Sequence, residues 1–351
     1  MINVIFIIIF IYICYRNVPE FFNYKLCNNQ NVRGLHKKTI SKNKFTRTTD
    51  DDWDLYLPCG YKFVEKEITN IDFNATNKYI FGISGSDKLA SKNNLWNIIR
   101  NYYGLYEASK IMPITYILNN TDDMMVFQKK YSIHKKYILK KNLQRKLGLK
   151  LIKNDLNTIL TANKKGFKIV QEYIEHPFLV NGYKLNIRVY LLIICNNKNK
   201  QCFLHKKGKC LYTKYKYQNN LEFDKNITSY MADKNIYNNN PLNLEDLYKY
   251  IDNTNNDSSV VKNKIKSIMI KLSNSIKNHI CNNSKLHKIN TFQLFGGDII
   301  LDDQLNPKLL ELNKGPNMVP TNYEDETIKQ TVYDDIYNKT IYSIDNDFDE
   351  L

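Results

Sequence analysis

A chain of 351 residues, 43% hydrophobic and 13% aromatic, carries enough apolar material for one large domain or two to three packed lobes, which excludes a disordered protein. A net charge of +16 favours an acidic partner such as nucleic acid, anionic lipid or an acidic protein tail, although a solvated lysine-rich surface would carry the same charge. The seven cysteines are odd in number, scattered and without a CxxC pair, which argues for reduced buried thiols over a zinc site or a disulfide framework.

Residues 2–15 are almost wholly apolar and Arg16 follows them. The run falls short of the roughly 20 residues of a membrane span. It suits the hydrophobic part of a signal peptide or signal anchor over 1–16, a buried strand being the other reading. Residues 17–52, polar and basic, read as a flexible linker. Order is expected from Trp53. The run 79–83 (YIFGI) predicts a short buried strand, 85–87 a turn, and 89–103 a helix that stops at Gly104.

Further on, 137–140 (YILK) predicts a strand, the charged stretch 141–150 a mobile loop, and 167–174 (FKIVQEYI) a strand ending before Pro177. The unbroken apolar run 186–195 (NIRVYLLIIC) predicts a central strand buried on both faces. Residues 203–212 predict a hairpin around Lys207-Gly208, and the Asn-rich 218–258 a loop or insertion. Val261, Ile265, Ile268, Met269, Leu272 and Ile276 recur at steps of three and four, the pattern of an amphipathic helix capped by Ser258 or Ser259. Two apolar strands, 295–301 and 309–312, flank a turn at 302–307. Strands and helices mixed in this order predict an α/β or α+β enzyme.

Chemistry concentrates in the last two strands. Asp298 interrupts an apolar strand, and Glu311 and Asn313 stand two positions apart on the next, so both face one side. Two carboxylates and an amide oxygen make a magnesium site with room for phosphates. In the middle of the chain, Gln171 to Ile174 lie at a strand edge that could offer backbone groups to an adenine. Lys140 and Lys184 sit at strand ends, and Lys184, Asn186 and Arg188 share one strand face. An arginine there can fork onto a carboxylate or phosphate. No zinc-finger spacing or RNA-recognition motif is present, and nucleic acid is not expected as a partner.

Five segments in order resemble the tubulin–tyrosine ligase family of ATP-grasp enzymes: GSDKLASKNNL at 85–95, YILK at 137–140, VQEYIEHP at 170–177, KLNIR at 184–188, and FQLFGGD with LLELNKGP between 292 and 316. The resemblance implies an ATP-grasp fold over 53–345 that clamps nucleotide between two α/β lobes. A smaller N-terminal lobe would span 53–115, a central lobe 116–183 and a C-terminal lobe 184–345. It implies that Lys92, Lys140 and Lys184 hold ATP phosphates, and that Gln171, Glu172, Tyr173 and Ile174 hold the adenine. Asn186 would adjoin the nucleotide. Arg188 would engage a substrate carboxylate. Asp298, Glu311 and Asn313 would hold Mg2+, with Arg188, Glu311 and Asn313 the catalytic set.

The implied reaction is an ATP-dependent ligation of an amino acid, Glu or Tyr, onto an acidic protein tail, tubulin foremost, by a monomer that uses an acyl phosphate. Three positions depart from the family pattern: Asn186 replaces an Asp, Leu211 an Arg, and Ser229 an Asn. An inactive relative that binds nucleotide or an acidic tail therefore stands as the alternative, as does a ligase with another acceptor. The apolar N-terminus allows a cytoplasmic, microtubule-associated domain tethered by a signal anchor, or a place in the secretory pathway.

Overall fold

A computed structural model describes residues 22–29, 32–71, 76–143, 148–196, 199–228 and 234–351. The apolar segment 1–16 and Ser229 lie outside the described residues. Among the described residues, fourteen strands form two sheets. In chain order they are β1 (Asn23–Leu26), β2 (Thr46–Arg47), β3 (Leu55–Leu57), β4 (Tyr79–Ile80), β5 (Thr115–Ile117), β6 (Lys136–Lys140), β7 (Leu149–Lys153), β8 (Ile169–Glu172), β9 (Leu179–Val180), β10 (Tyr183–Asn196), β11 (Asn199–Tyr212), β12 (Asn290–Leu301), β13 (Pro307–Asn313) and β14 (Phe348–Glu350). The large sheet runs β14-β11-β10-β12-β4-β3-β1-β2, with β13 joined to β12 and β9 to β10; the small sheet runs β5-β8-β6-β7.

The large sheet is buried on both faces because its central strands are apolar on both. Leu185, Ile187, Val189, Leu191 and Ile193 of β10 pack with the helices Lys92–Ile111 and Ser258–Ile276. Tyr190 and Leu192 face the helices Gly34–Lys42 and Tyr323–Thr340 on the other side. At its N-terminal end that second face changes character, since Lys184, Asn186 and Arg188 continue the alternation of Tyr190 and Leu192. One strand thus passes from core to polar cleft without breaking its alternation. The small sheet has its own core, in which Tyr137, Leu139 and Val170 pack on Phe127 and Ile159.

Several expectations are corrected. Residues 22–52 are not a flexible linker: β1 pairs in parallel with β2 and β3, and Leu35 and Ile40 pack against Ile328, Val332 and Ile336. A few spaced apolar residues among lysines suffice to dock the segment. The fold also continues past 345, because β14 pairs with β11. The loop expected at 141–150 gives way to β7 from Leu149. Residues 203–212 are no hairpin; β11 is one strand alongside β10, with a register shift between Val189 and Leu191 opposite Lys207-Gly208. A Lys-Gly pair marks a bulge as readily as a turn. The Asn-rich stretch contains the helix Leu244–Asp252, capped by Asn243. Asp257, not Ser258 or Ser259, caps the helix that follows.

The cysteines are corrected as well. Cys27 is bonded to Cys59 and Cys195 to Cys281, while Cys202 and Cys210 are free and buried. Their sequence separations of 32 and 86 residues give no local signal, and only the fold brings the pairs to Cα separations of 5.1 and 6.3 Å. No helix among the described residues is long and apolar enough to cross a membrane.

Candidate active site

Asp298 occupies the middle of the site. Strand pairing sets it directly opposite Arg188 of β10 on one side and Glu311 of β13 on the other. Arg188 forks onto it, donating from Nε to Oδ1 at 2.5 Å and from Nη2 to Oδ2 at 3.0 Å. Gly296 makes that reach possible: a Cβ there would lie 3.0 Å from the Arg188 Cδ and 2.9 Å from Pro316. Asn313, opposite Gly296, donates from Nδ2 to Glu311 Oε1 at 3.1 Å, which leaves its own amide oxygen for another partner.

Lys92 enters from the start of the helix Lys92–Ile111. Its Nζ is 3.0 Å from Glu311 Oε2. The chain reaches this point because Gly85 turns with φ +89°, pressed so closely on the backbone of His279 and Ile280 that no side chain fits. Lys140 completes the group from β6 of the small sheet, so the two sheets face one cleft. Burial works against ionisation of Glu311, but Lys92 and Lys140 overcome it and bring its pKa down to about 2. Burial pushes Asp298 up, against the pull of Arg188.

Two lysines in this cleft lack such compensation. Burial lowers Lys140 to about 8, with Glu311 opposing and Lys92 adding to the shift. Burial lowers Lys184 to about 7, helped by Lys140 and Lys136. Lys184 Nζ donates to the Tyr173 hydroxyl at 2.7 Å and to the Asn226 carbonyl at 2.9 Å, both neutral groups. A buried ammonium group held by neutral partners, as Lys184 is, is prepared for an incoming anion.

Gln171 is buried on β8, where its Nε2 donates to Thr115 Oγ1 at 2.7 Å. Glu172 pairs with Lys135. Ile174 follows Tyr173 at the half-buried end of that strand. Asn186 donates to Thr228 Oγ1 at 2.8 Å, and its buried Oδ1 has no partner among the described residues. Opposite Asn186 stands Leu211, buried and apolar.

Divalent-cation chemistry fits this donor set. Asp298 and Glu311 face each other across a strand pair, Asn313 adds a neutral oxygen, and the two acids are balanced by Lys92 and Arg188 where positive charge is wanted. Hard oxygen donors on two rigid strands suit Mg2+ with phosphates in its remaining positions.

A model of the tubulin-tyrosine ligase family matches residues 75–349. The chain belongs to this family. The two sheets facing one cleft are the ATP-grasp arrangement of the family. Among similar proteins, the chain is 25% identical to the Mus musculus tubulin monoglutamylase TTLL4 over 333 residues, 88% of this chain and 27% of the relative. It is 23% identical to the Caenorhabditis briggsae tubulin polyglutamylase ttll-4 over 346 residues, 93% of this chain and 56% of the relative. It is 26% identical to the Mus musculus probable tubulin polyglutamylase TTLL2 over 313 residues, 82% of this chain and 54% of the relative. The chain spans between about a quarter and about half of the length of these relatives.

Within this member of the tubulin-tyrosine ligase family, sequence reasoning missed three supporting groups. Asn226 supplies the carbonyl that holds Lys184 and also accepts from the Tyr173 hydroxyl at 2.9 Å. Gln293, fully buried, accepts from the Ile83 amide at 3.0 Å and donates to the Lys314 carbonyl at 2.7 Å, tying the strand before Gly85 to the loop after β13. Its signal was visible as a polar residue inside FQLFGG. Lys209, opposite Arg188, shares buried Asp325 with Lys329.

Proposed function

We propose that this chain is an ATP-dependent carboxylate–amine ligase that joins an amino acid, Glu or Tyr, to an acidic protein tail, tubulin foremost. The observation that carries the reading is the pairing, in one cleft, of a carboxylate cluster fit for Mg2+ with two buried, uncompensated lysines fit for phosphates. Family membership and the named activities of the relatives support the reaction class.

In the reaction proposed, a carboxylate oxygen attacks the γ-phosphorus of ATP and ADP leaves. The amine then attacks the acyl carbon and phosphate departs, the amine's proton passing to solvent. Mg2+, when bound, neutralises phosphate charge and so favours the displacement at phosphorus. The protein's own contribution is positioning and charge. Lys140 and Lys184 hold the phosphates in place. Asp298, Glu311 and Asn313 form the oxygen face for the metal. Gln171 to Ile174 border the adenine. Arg188, were Asp298 to turn to a metal, could fork onto a carboxylate. No nucleophilic side chain is needed.

A catalytically inactive binding module is the second reading. It draws on Leu211, which leaves no cation opposite Asn186. The test is incorporation of labelled Glu or Tyr into purified tubulin with ADP release measured alongside. Glu311→Gln should lower turnover by about a hundredfold or more while the fold persists, since it removes a ligand charge used at phosphorus. ATP binding without incorporation of either amino acid would leave the binding module ahead.

A further inference from the structure

The two disulfides of this protein differ in exposure. Cys195–Cys281 is buried at both ends. Cys27–Cys59 is buried only at Cys27, and Cys59 is exposed. Parallel pairing of β1 with β3 sets Leu26 beside Leu57, so the two strands end side by side. The sulfurs join them one residue beyond β1 and two beyond β3. The bond lies at a surface cavity of about 460 Å³, lined also by Tyr56, Lys62, Phe63 and Glu67. Exposed disulfides are the ones that exchange readily with thiols.

The residues that follow Cys59 touch two loops of the site. Tyr61 lays its ring on Gly315 so closely that a Cβ has no room there. The Lys62 carbonyl accepts from Lys314 Nζ at 3.2 Å, and the same ammonium pairs with Asp87. Glu65 accepts from the Asp87 amide and, at 3.2 Å, from Ser86 Oγ. One short segment thus holds the loop after Asn313 and the turn at Gly85 that leads to Lys92, whose Nζ meets Glu311. The segment has three anchors of its own. Val64 and Ile68 are buried in the core with Cys27. Glu67 accepts from the Cys59 amide at 3.0 Å and from the Tyr56 hydroxyl at 2.9 Å. The third anchor is the disulfide.

We propose that Cys27–Cys59 is a thiol-exchange site through which a dithiol sets the order of the nucleotide cleft, a proposal that rests on the reading of that cleft above. A thiolate of the dithiol attacks Cys59 Sγ from the cavity, the S–S bond breaks, and Cys27 leaves as a thiolate that takes up a proton. The second thiol loses its proton and attacks the mixed disulfide, and Cys59 leaves and is protonated in turn. The dithiol ends as a disulfide, oxidised by two electrons, and the protein pair ends as two thiols. Opening the bond returns chain freedom to residues 59–63, so Tyr61 and Lys62 hold Gly315 and Lys314 less firmly. Glu67, Val64 and Ile68 keep the segment in place, so reduction loosens the cleft without unfolding it.

The test uses the full chain in dithiothreitol buffers of graded reduced-to-oxidised ratio. Alkylation and peptide mass mapping should find Cys27 and Cys59 modified at ratios that leave Cys195 and Cys281 joined. At those ratios, affinity for a non-hydrolysable ATP analogue with Mg2+, measured by calorimetry, should fall about tenfold, within the usual range of coupling between two sites. The coupling is reciprocal, so saturating analogue should raise the ratio needed to open the pair by the same factor. Hydrogen exchange should quicken on reduction in residues 59–63, 84–92 and 313–318 and stay unchanged in β6 and β8. Cys27→Ser with Cys59→Ser should bind the analogue as the reduced protein does and ignore dithiothreitol; if that variant does not fold, the titration of wild-type protein decides alone. Equal affinity of the oxidised and reduced proteins, or earlier opening of Cys195–Cys281, would overturn the proposal. So would an opening ratio that the analogue does not move. If the oxidised protein binds no analogue, the ligase reading fails, and exchange at 313–318 decides for or against the clasp. If the oxidised and reduced proteins incorporate amino acid equally with the same KM for ATP, the clasp fails while the ligase reading stands.

Discussion

The two walls of the cleft handle charge in opposite ways. On the large-sheet side the buried acids have cations: Asp298 is forked by Arg188, Glu311 is met by Lys92, and Asp325 of the helix behind them by Lys209 and Lys329. On the small lobe the lysines outnumber the carboxylates, and Lys140 faces the cleft with burial outweighing the pull of Glu311. A disulfide, Cys195–Cys281, further braces the large sheet, whereas the described part of the small lobe has no covalent brace. The difference teaches that the large-sheet wall balances its buried charges internally, whereas the small-lobe wall leaves Lys140 in excess.

The strongest way to break the comparison is to remove one member of a balanced pair. Arg188→Met leaves Asp298 buried with its fork partner gone, which should cost about 3–5 kcal/mol in urea unfolding. Arg188→Met combined with Asp298→Asn should recover much of that loss, because the uncompensated charge goes with its partner. A single variant as stable as wild type would mean that the pair is not the internal balance described here.

Next in size is the covalent brace. Cys195→Ser with Cys281→Ser should destabilise by about 2–4 kcal/mol, the usual effect of releasing a long closed loop. Thiol titration of the unfolded protein with and without reductant would check that the bond forms. This brace also shows where sequence reading stops. Asp298, Glu311 and Asn313 were legible because polar residues inside apolar strands demand a reason, and two-residue spacing fixes their common face. The long helix Ser258–Ile276 was legible from its three-and-four periodicity. The docking of residues 22–52 was not, since Leu35 and Ile40 find their partners in a helix some 300 residues later. The same holds for the disulfides and for the carbonyl of Asn226 under Lys184: each is a contact between segments that are separately featureless. Lys207-Gly208 misled for a different reason, because a turn and a bulge use the same residue chemistry.

The smallest effect expected is the most informative about the unbalanced wall. Lys184 has a pKa of about 7 when no anion is bound, mainly through burial and then through Lys140 and Lys136. In the folded chain it therefore sheds its proton above about 7, while the unfolded chain keeps it up to the ordinary lysine value of 10.5. Unfolded protein binds more protons between these limits, so the stability of the ligand-free protein should rise with pH across that window as far as this group is concerned. Nucleotide binding should run the other way. A phosphate stabilises the ammonium, so binding above pH 7 must take up a proton, and affinity for a non-hydrolysable ATP analogue should fall by up to about tenfold per pH unit there. Lys184→Met should weaken binding by about 1.5–3 kcal/mol at pH 7, the worth of a charged hydrogen bond, and remove this group's share of the slope. Lys184→Arg separates charge from titration: it keeps the cation at all these pH values, so it should retain more affinity than the Met variant and still lose the slope. Calorimetry in two buffers of different ionisation enthalpy would count the protons directly. Wild-type binding with no proton uptake between about pH 7 and pH 9 would mean that Lys184 is already balanced by a neighbour, and the contrast between the two walls would then rest on Lys140 alone.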